Sequence, residues 1–132
     1  MLVFGRKPEG VRDKLRKILD ELEKKDPDIL GSVTMRSDGL ILASAIRSGI
    51  DEDLVAAMLG SILNIGSRVS QELKVGELQD IVMKASDGVV AVVPVMKDIV
   101  LGAIARSGAN LGLLLLEMKR AGEKVREVIR SL

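Results

Sequence analysis

The chain twice joins two apolar runs through Ser-Asp-Gly, and this repeated device constrains its fold more than any other feature. The first copy, TMRSDGLILASAI, runs from Thr34 to Ile46, and the second, VMKASDGVVAVVPV, runs from Val82 to Val95. Asp-Gly supplies the positive φ angles that tight hairpin turns need. We therefore predict two β-hairpins, with strands at 29–36 and 40–46 and at 77–85 and 89–96.

A fifth strand is predicted at 99–106, after a turn at Lys97-Asp98, so that the last three strands form a meander. Pro94 cannot donate to a strand ladder, which predicts a bulge or an end of pairing there. In the first strand Val33 and Met35 face one side of the sheet, whereas Ser32 and Thr34 face the other. The strand at 40–46 is apolar or small on both faces, which predicts a central or doubly covered position.

Three helices are predicted from apolar residues at helical spacing. The first follows Pro8 and ends near Pro27, the second begins at Asp51 and stops near Gly76, and the third is capped by Asn110. The third helix has a long apolar face, formed by Leu111, Leu114, Leu115, Met118, Val125, Val128, Ile129 and Leu132. The order α-β-β-α-β-β-β-α predicts an α+β fold with a five-stranded antiparallel sheet and helices on both faces.

The length of 132 residues is enough for one domain, which we place at 8–132 after a flexible arm at 1–7. The arm does not resemble a signal peptide, because its apolar part is short and precedes the charges. The apolar stretches at 89–96 and 99–105 are too short to span a membrane. Since the chain has no cysteine, no disulfide can form, and we expect a cytoplasmic protein.

The composition excludes several classes of chemistry. The chain has no Cys, His, Trp or Tyr, a single Phe and a net charge of +1. It therefore lacks a thiolate nucleophile, a histidine for acid–base catalysis and the cysteine and histidine ligands of a metal site. Few aromatic rings and little net charge argue against nucleic-acid binding. We predict a protein that is not an enzyme, with no catalytic residue, metal or cofactor, and with neither nucleic acid nor membrane insertion among its interactions.

The second helix carries more apolar surface than a helix on a single core requires. On a wheel at roughly 100° per residue, one sector is filled by Leu54, Met58, Ile62, Ile65, Val69 and Leu73. Val55, Leu59 and Leu63 widen the arc to about 180°, whereas an apolar stripe of roughly 100° is common. The remaining face is mainly small or neutral and is formed by Ala56, Ala57, Gly60, Ser61, Asn64 and Ser67.

Two interpretations of this arc stay open. Either a deep groove of one subunit buries all of it, or one sector packs on the sheet and the other on a second molecule. The second interpretation predicts a homodimer with Val55, Leu59 and Leu63 at the interface. Ile81 and Met83, on a third strand that lies at a sheet edge, would join that interface if the strand pairs with its twin.

In its ordered set of segments the sequence resembles the Roadblock/dynein light chain domain family, especially the small prokaryotic members. The matching segments are GSVTMRSDGLILASA, DLVAAMLGSILNIGSRVSQEL, GELQDIVMKASDGVVAVVPV and SGANLGLLLLEMKRAGEKV. The resemblance implies a profilin-like fold with strand order two, one, five, four, three. It also implies dimers that pair through the second helix and third strand, and members that bind small Ras-like GTPases or act as adaptors.

The function predicted from these observations is that of a homodimeric, non-enzymatic regulator or scaffold that binds a small Ras-like GTPase in signalling. We expect the GTPase to dock on the small-residue face of the second helix, at Ala56, Gly60, Ser61, Asn64, Ser67 and Arg68. Two alternatives remain: a structural adaptor in a larger assembly without GTPase contact, and a sensory module that binds a small ligand.

Overall fold

Three helices and five strands form one α+β unit in the computed structural model, which describes residues 10–132. The elements are α1 (Val11–Lys25), β1 (Ile29–Arg36), β2 (Ile41–Ile46), α2 (Glu52–Glu72), β3 (Ile81–Ala85), β4 (Gly88–Met96), β5 (Ile99–Arg106) and α3 (Leu111–Arg130). This order confirms the predicted fold class. The predicted arm at 1–7 and Pro8 lie outside the described residues.

The five strands form one antiparallel sheet in the order β2-β1-β5-β4-β3, as the family resemblance implied. Two local hairpin units, β1–β2 and β3–β4–β5, are joined by the central pairing of β1 with β5. Pro94 lies at an irregularity of the β4–β5 ladder, and β3 pairs with β4 only as far as Val92. Both expectations for this proline are therefore confirmed.

The two Ser-Asp-Gly turns use their glycines differently. Gly39 has φ 98°, so the first turn needs a residue that tolerates the left-handed region. Gly88 has no such angle; it already belongs to β4, and a Cβ there would lie 3.2 Å from the Ala105 carbonyl oxygen. Glycine at position 88 therefore permits close approach of β5, and the expectation of a positive φ angle at the second turn was wrong.

The sheet has a core on each face. On one face α1 and α3 cover residues such as Ala91, Val93 and Leu101, and on the other α2 covers Val33 and Met35. The predicted alternation of β1 is confirmed, because Val33 and Met35 lie together on the α2 side. The last residue of the predicted α3 face, Leu132, lies after the end of the helix and is exposed.

Two strand predictions need correction. β3 begins at Ile81 and not at Glu77, because side chains anchor the preceding segment: Asp80 pairs with Lys119 at 3.1 Å, and Leu78 packs on the core below α2. β2 is an edge strand and not a central one. The prediction also allowed a strand that is covered on both faces. This alternative is confirmed, because β2 contacts both α1 and α2.

The ends of α2 and α3 are set by side-chain caps. Asp51 accepts hydrogen bonds from the backbone N–H groups of Asp53 and Leu54 at 3.0 and 3.2 Å. Asn110 accepts one from the N–H of Leu113 at 3.0 Å. Both caps agree with the sequence prediction.

Candidate interaction surface

The face of α2 that meets the sheet combines small residues with two leucines. Ala56, Leu59, Gly60 and Leu63 are all buried within the chain. Leu59 lies directly over Gly102 of β5, where a Cβ would collide with its Cδ1 atom. A Cβ on Gly60 would lie 3.3 Å from the Ser37 carbonyl oxygen. Small residues on both sides therefore bring α2 close to the sheet, and Leu59 fills the hollow above Gly102.

This rotation overturns part of the predicted dimer surface. Leu59 is 3% exposed and Leu63 is 6% exposed, and both belong to the core below α2. They offer almost no surface to a partner, so the expectation that at least one of them faces a second molecule was wrong. Val55 is half-buried against the same core. A helical wheel gives the width of an apolar arc, but it contains no information about which strand residues leave room for it.

α2 and its C-terminal cap residue present large apolar side chains to solvent, and these belong to the sector that the sequence grouped around Leu54. We call them the apolar strip: Leu54, Met58, Ile65, Val69 and Leu73. Ile65, near the middle of the helix, is 64% exposed, and Leu54, at its start, is 57% exposed. A series of large exposed side chains along one helix is typical of an interaction surface. The predicted excess of apolar surface is present, and it lies on the sector around Leu54 and not on the residues Leu59 and Leu63 that were predicted for the interface.

A second outward sector of α2 is small or polar. We call it the polar strip: Ala57, Ser61, Asn64 and Arg68, all exposed. At roughly 100° per residue its centre lies about 100° around the helix axis from that of the apolar strip. The sequence analysis did not predict this separation into an apolar and a polar strip. The small residues Ala56 and Gly60, near Leu59 and Leu63 on the helix, were a signal of close packing on the sheet.

The predicted GTPase docking residues are divided between the core and this surface. Ala56 and Gly60 are buried against the sheet, so their assignment to a docking face was wrong. Ser61, Asn64 and Arg68 are exposed on the polar strip, and Ser67 is half-buried beside it. Three of the six predicted residues are thus available together on one side of α2.

The β3 edge lies next to α2. A Cβ on Gly66 would be 2.6 Å from Cδ1 of Ile81, so the helix passes close to the first residue of the strand. Ile81 is half-buried there, whereas Met83 is largely exposed on the same face of the sheet. The two predicted β3 residues therefore continue the apolar surface of α2 toward an open strand edge.

A groove of about 410 Å³ lies between the second half of α2 and the β4–β5 turn. Its polar lining residues include Ser37, Asn64, Ser67, Glu77 and Asp98. Within residues 10–132, no cluster of acidic side chains is arranged to hold a metal ion. Over the same part of the chain, no helix has the length and apolar character needed to cross a membrane.

Comparisons with known proteins show the family to which the chain belongs. The model of the Roadblock/LC7 domain matches residues 15–105, more than half of the chain. The chain belongs to the Roadblock/LC7 family. Two similar proteins of Methanocaldococcus jannaschii, both described as uncharacterized, are 31% and 30% identical over 110 residues, covering 83% of this Roadblock/LC7 chain and 95% of each relative.

Solved structures share the Roadblock/LC7 fold at low sequence identity. A Roadblock/LC7 domain from Streptomyces avermitilis gives a TM-score of 0.82 at 18% identity, covering 87% of this chain and 97% of that one. The gliding protein MglB from Thermus thermophilus gives 0.82 at 16% identity, covering 93% of both chains. MglB from Myxococcus xanthus gives 0.82 at 20% identity, covering 90% of this chain and 97% of that one. At these identities the likeness concerns the fold.

Proposed function

We propose that this Roadblock/LC7 chain is a non-enzymatic, homodimeric regulator or scaffold of a small Ras-like GTPase. The observation that carries the proposal is the division of α2 into an apolar strip and a polar strip, both exposed in one chain. The apolar strip serves self-association, and the polar strip serves the GTPase. The GTPase enters as the partner class that the family resemblance implies.

Self-association through the apolar strip would remove five large exposed side chains from water. Each fully buried aliphatic side chain contributes roughly 1.5–3 kcal/mol of transfer free energy, so the gain is substantial before the costs of association. The adjacent β3 edge would pair with its twin across a two-fold axis and extend the sheet. One similar structure is described as MglB with a tetrameric arrangement, so self-association occurs among proteins of this fold.

The polar strip suits a partner that must approach closely. Ala57, Ser61 and Asn64 are short, so ordering them at an interface costs little side-chain entropy. Arg68 lies in the same strip as a flexible charged group that can steer association more than it holds it. A regulator of this kind acts by binding the nucleotide states of the GTPase unequally, because a partner shifts an equilibrium only by its differential affinity.

Two neighbouring residues of α2 separate the two roles. Ile65→Glu places a charge in the apolar strip, and Asn64→Glu adds the same charge one position away on the polar strip. We expect sedimentation equilibrium to give twice the 14.2 kDa chain mass for the wild type and for Asn64→Glu, but a folded monomer for Ile65→Glu. If Ile65→Glu remained dimeric, or if the wild type were a folded monomer, self-association through this strip would be wrong.

The GTPase role is tested with Ser61→Arg, which leaves the apolar strip intact. Purified Ras-like GTPases of the source organism, each loaded with GDP or with a non-hydrolysable GTP analogue, would be titrated into wild type and variant. We expect one GTPase to bind the wild-type dimer with unequal affinity for its two states, and Ser61→Arg to lose that binding while staying dimeric. A dimer that binds none of them would favour the adaptor alternative.

A further inference from the structure

The sheet has open edges that differ in how they are protected against pairing with other strands. Natural proteins protect such edges with charges, prolines and bulges. β3 carries Lys84, and β4 beyond the end of β3 contains Pro94. There, Nε and Nη2 of Arg126 also donate to the Val95 carbonyl oxygen at 3.2 and 2.7 Å, which occupies that acceptor.

β2 has few of these devices. Its sequence, ILASAI, contains no charged residue and no proline. Its ladder with β1 has one irregularity near the turn, between the pairs Thr34–Ala43 and Met35–Ile41, so that 43–46 form a regular edge. The composition is that of a central strand, which is why the sequence allowed a central position for it. The helices on both faces account for this composition, and it leaves the edge of β2 without the charges or proline that oppose pairing with another strand.

A groove of about 390 Å³ runs along this edge between two helices. Ile41, Ala43 and Ser44 of β2 line it, together with residues of α1 on one side and of α2 on the other. Because the helices cover the faces of β2 and no strand of residues 10–132 pairs with its outer edge, an extended chain fits between them better than a helix does. Main-chain hydrogen bonds to an open edge supply affinity in this mode of recognition, and alternate side chains supply specificity.

The charges of the groove favour a cationic occupant. Glu52 and Asp53, on the α2 side, are exposed and form no ion pair among the described residues. On the α1 side Arg16 is paired with Asp20 at 3.1 Å, and Asp13 lines the groove together with Arg12. The three acidic and two basic residues of the lining give a net charge of −1, and Glu52 and Asp53 concentrate the negative charge on the α2 side. Pairing of β2 with the β2 of a second copy would bring these carboxylates toward one another, which argues against that occupant.

We propose that the open edge of β2 binds an extended, lysine- or arginine-bearing segment of a partner protein, which adds a sixth strand to the sheet. Side chains of an extended segment alternate between the two faces, so every second residue points toward the α2 side. Cations at those positions meet Glu52 and Asp53. This site lies at the other end of the sheet from the β3 edge and is independent of the proposed GTPase function.

The test uses the full chain, labelled with ¹⁵N, and two blocked synthetic peptides. One peptide alternates lysine with valine, and its matched control alternates glutamate with valine. We expect the lysine peptide to shift the amide resonances of 43–46 and of 52–53, and to bind at least about tenfold more tightly than the glutamate peptide, a difference of about 1.4 kcal/mol. The double variant Glu52→Gln/Asp53→Asn, checked for an unchanged thermal transition, should reduce this preference while keeping the shifts at 43–46.

Three results would overturn the proposal. The first is equal binding of the two peptides, and the second is a set of shifted resonances away from β2. The third is slow amide hydrogen exchange at 43–46 in the free full chain that becomes fast when residues 1–9 are deleted. In that case residues 1–9 of the same chain, and not a partner protein, would protect the edge of β2.

Discussion

Thr34 places a hydroxyl group in the core that α1 and α3 cover. Its side chain is fully buried, and its Oγ1 atom has no hydrogen-bond partner. An unsatisfied buried polar atom costs free energy, because the hydroxyl loses water without replacing it. The sequence predicted which face of the sheet this residue takes, but not that the hydroxyl would be left without a partner, since that depends on neighbours from other elements.

Replacing this hydroxyl by a methyl group should stabilise the chain. We expect Thr34→Val to raise the free energy of unfolding by about 1 kcal/mol, because the shape is kept and the unsatisfied donor is removed. Thr34→Ser is the matched control: it keeps the hydroxyl, removes a buried methyl group and should destabilise by a similar amount. Urea denaturation of both variants measures the difference. If Thr34→Val were the less stable of the two, the hydroxyl would have a partner in solution.

Glu23 supplies a pH-dependent contribution to stability. Burial raises the pKa of its carboxyl group above the ordinary value, and a hydrogen bond from Ser32 Oγ to Oε2, at 2.6 Å, opposes part of that shift. Between the ordinary pKa and the raised one the folded chain binds more protons than the unfolded chain, so the free energy of unfolding falls as pH rises through this window. The destabilisation is complete above the folded-state pKa.

Glu23→Gln should therefore remove the fall in the free energy of unfolding that ionisation of Glu23 causes, while the glutamine side chain still accepts the hydrogen bond from Ser32. We expect the variant to be more stable than the wild type at neutral pH and to lose that advantage as pH falls below the ordinary glutamate pKa. Denaturant unfolding at several pH values across this range measures the difference in stability.

Glu21 makes a contribution of the opposite sign to the pH dependence of stability, because the hydrogen bond and charge of Lys124 lower its pKa. Its contribution is present above the ordinary value and is lost at lower pH, so any residual loss of stability in acid would come from groups of that kind.

At the scale of the element, α2 has three sectors that differ in burial and polarity. The buried sector holds it on the sheet, whereas the apolar and polar strips remain outside. Leu59 lies in the first of these, over Gly102, and its one-residue neighbour Met58 lies in the second. Gly102 of β5 thus leaves the space that Leu59 fills, whereas Met58 stays exposed.

This division predicts unequal costs for truncation along the helix. Leu59→Ala should lower the free energy of unfolding by about 2–5 kcal/mol, because it empties the space above Gly102. Asn64→Ala, on the exposed polar strip of the same helix, should change it by no more than about 0.5 kcal/mol. Both are measured by urea denaturation, with the dimer content followed by sedimentation. If both variants changed the free energy of unfolding by equally small amounts, α2 would be rotated away from the position in which Leu59 lies over Gly102.

At the scale of the whole molecule, the sequence predicted the element order, the antiparallel sheet and both helix caps, because hairpin turns, periodicity and capping are local signals. The strand order came from the family resemblance. The rotation of α2 could not be predicted, because it depends on Gly102, a residue more than one element away. The residues of β2 alone did not indicate its edge position, since helices on both faces give an edge strand the composition of a central one; only the family resemblance implied it. Of the candidate site, the excess of apolar surface was predictable and its direction was not.

The central pairing of β1 with β5 has a consequence for the chain as it leaves the ribosome. β1–β2 and β3–β4–β5 each form from neighbouring segments, but the seam between them joins residues from opposite halves of the chain. Pairing over such a separation is slow, because the entropy of closing the loop is lost before the contacts form. We therefore expect β1, with apolar residues on its faces, to lack its second neighbouring strand until β5 has been synthesised. Only after α3 has emerged can it pack against α1 and close the core over the seam.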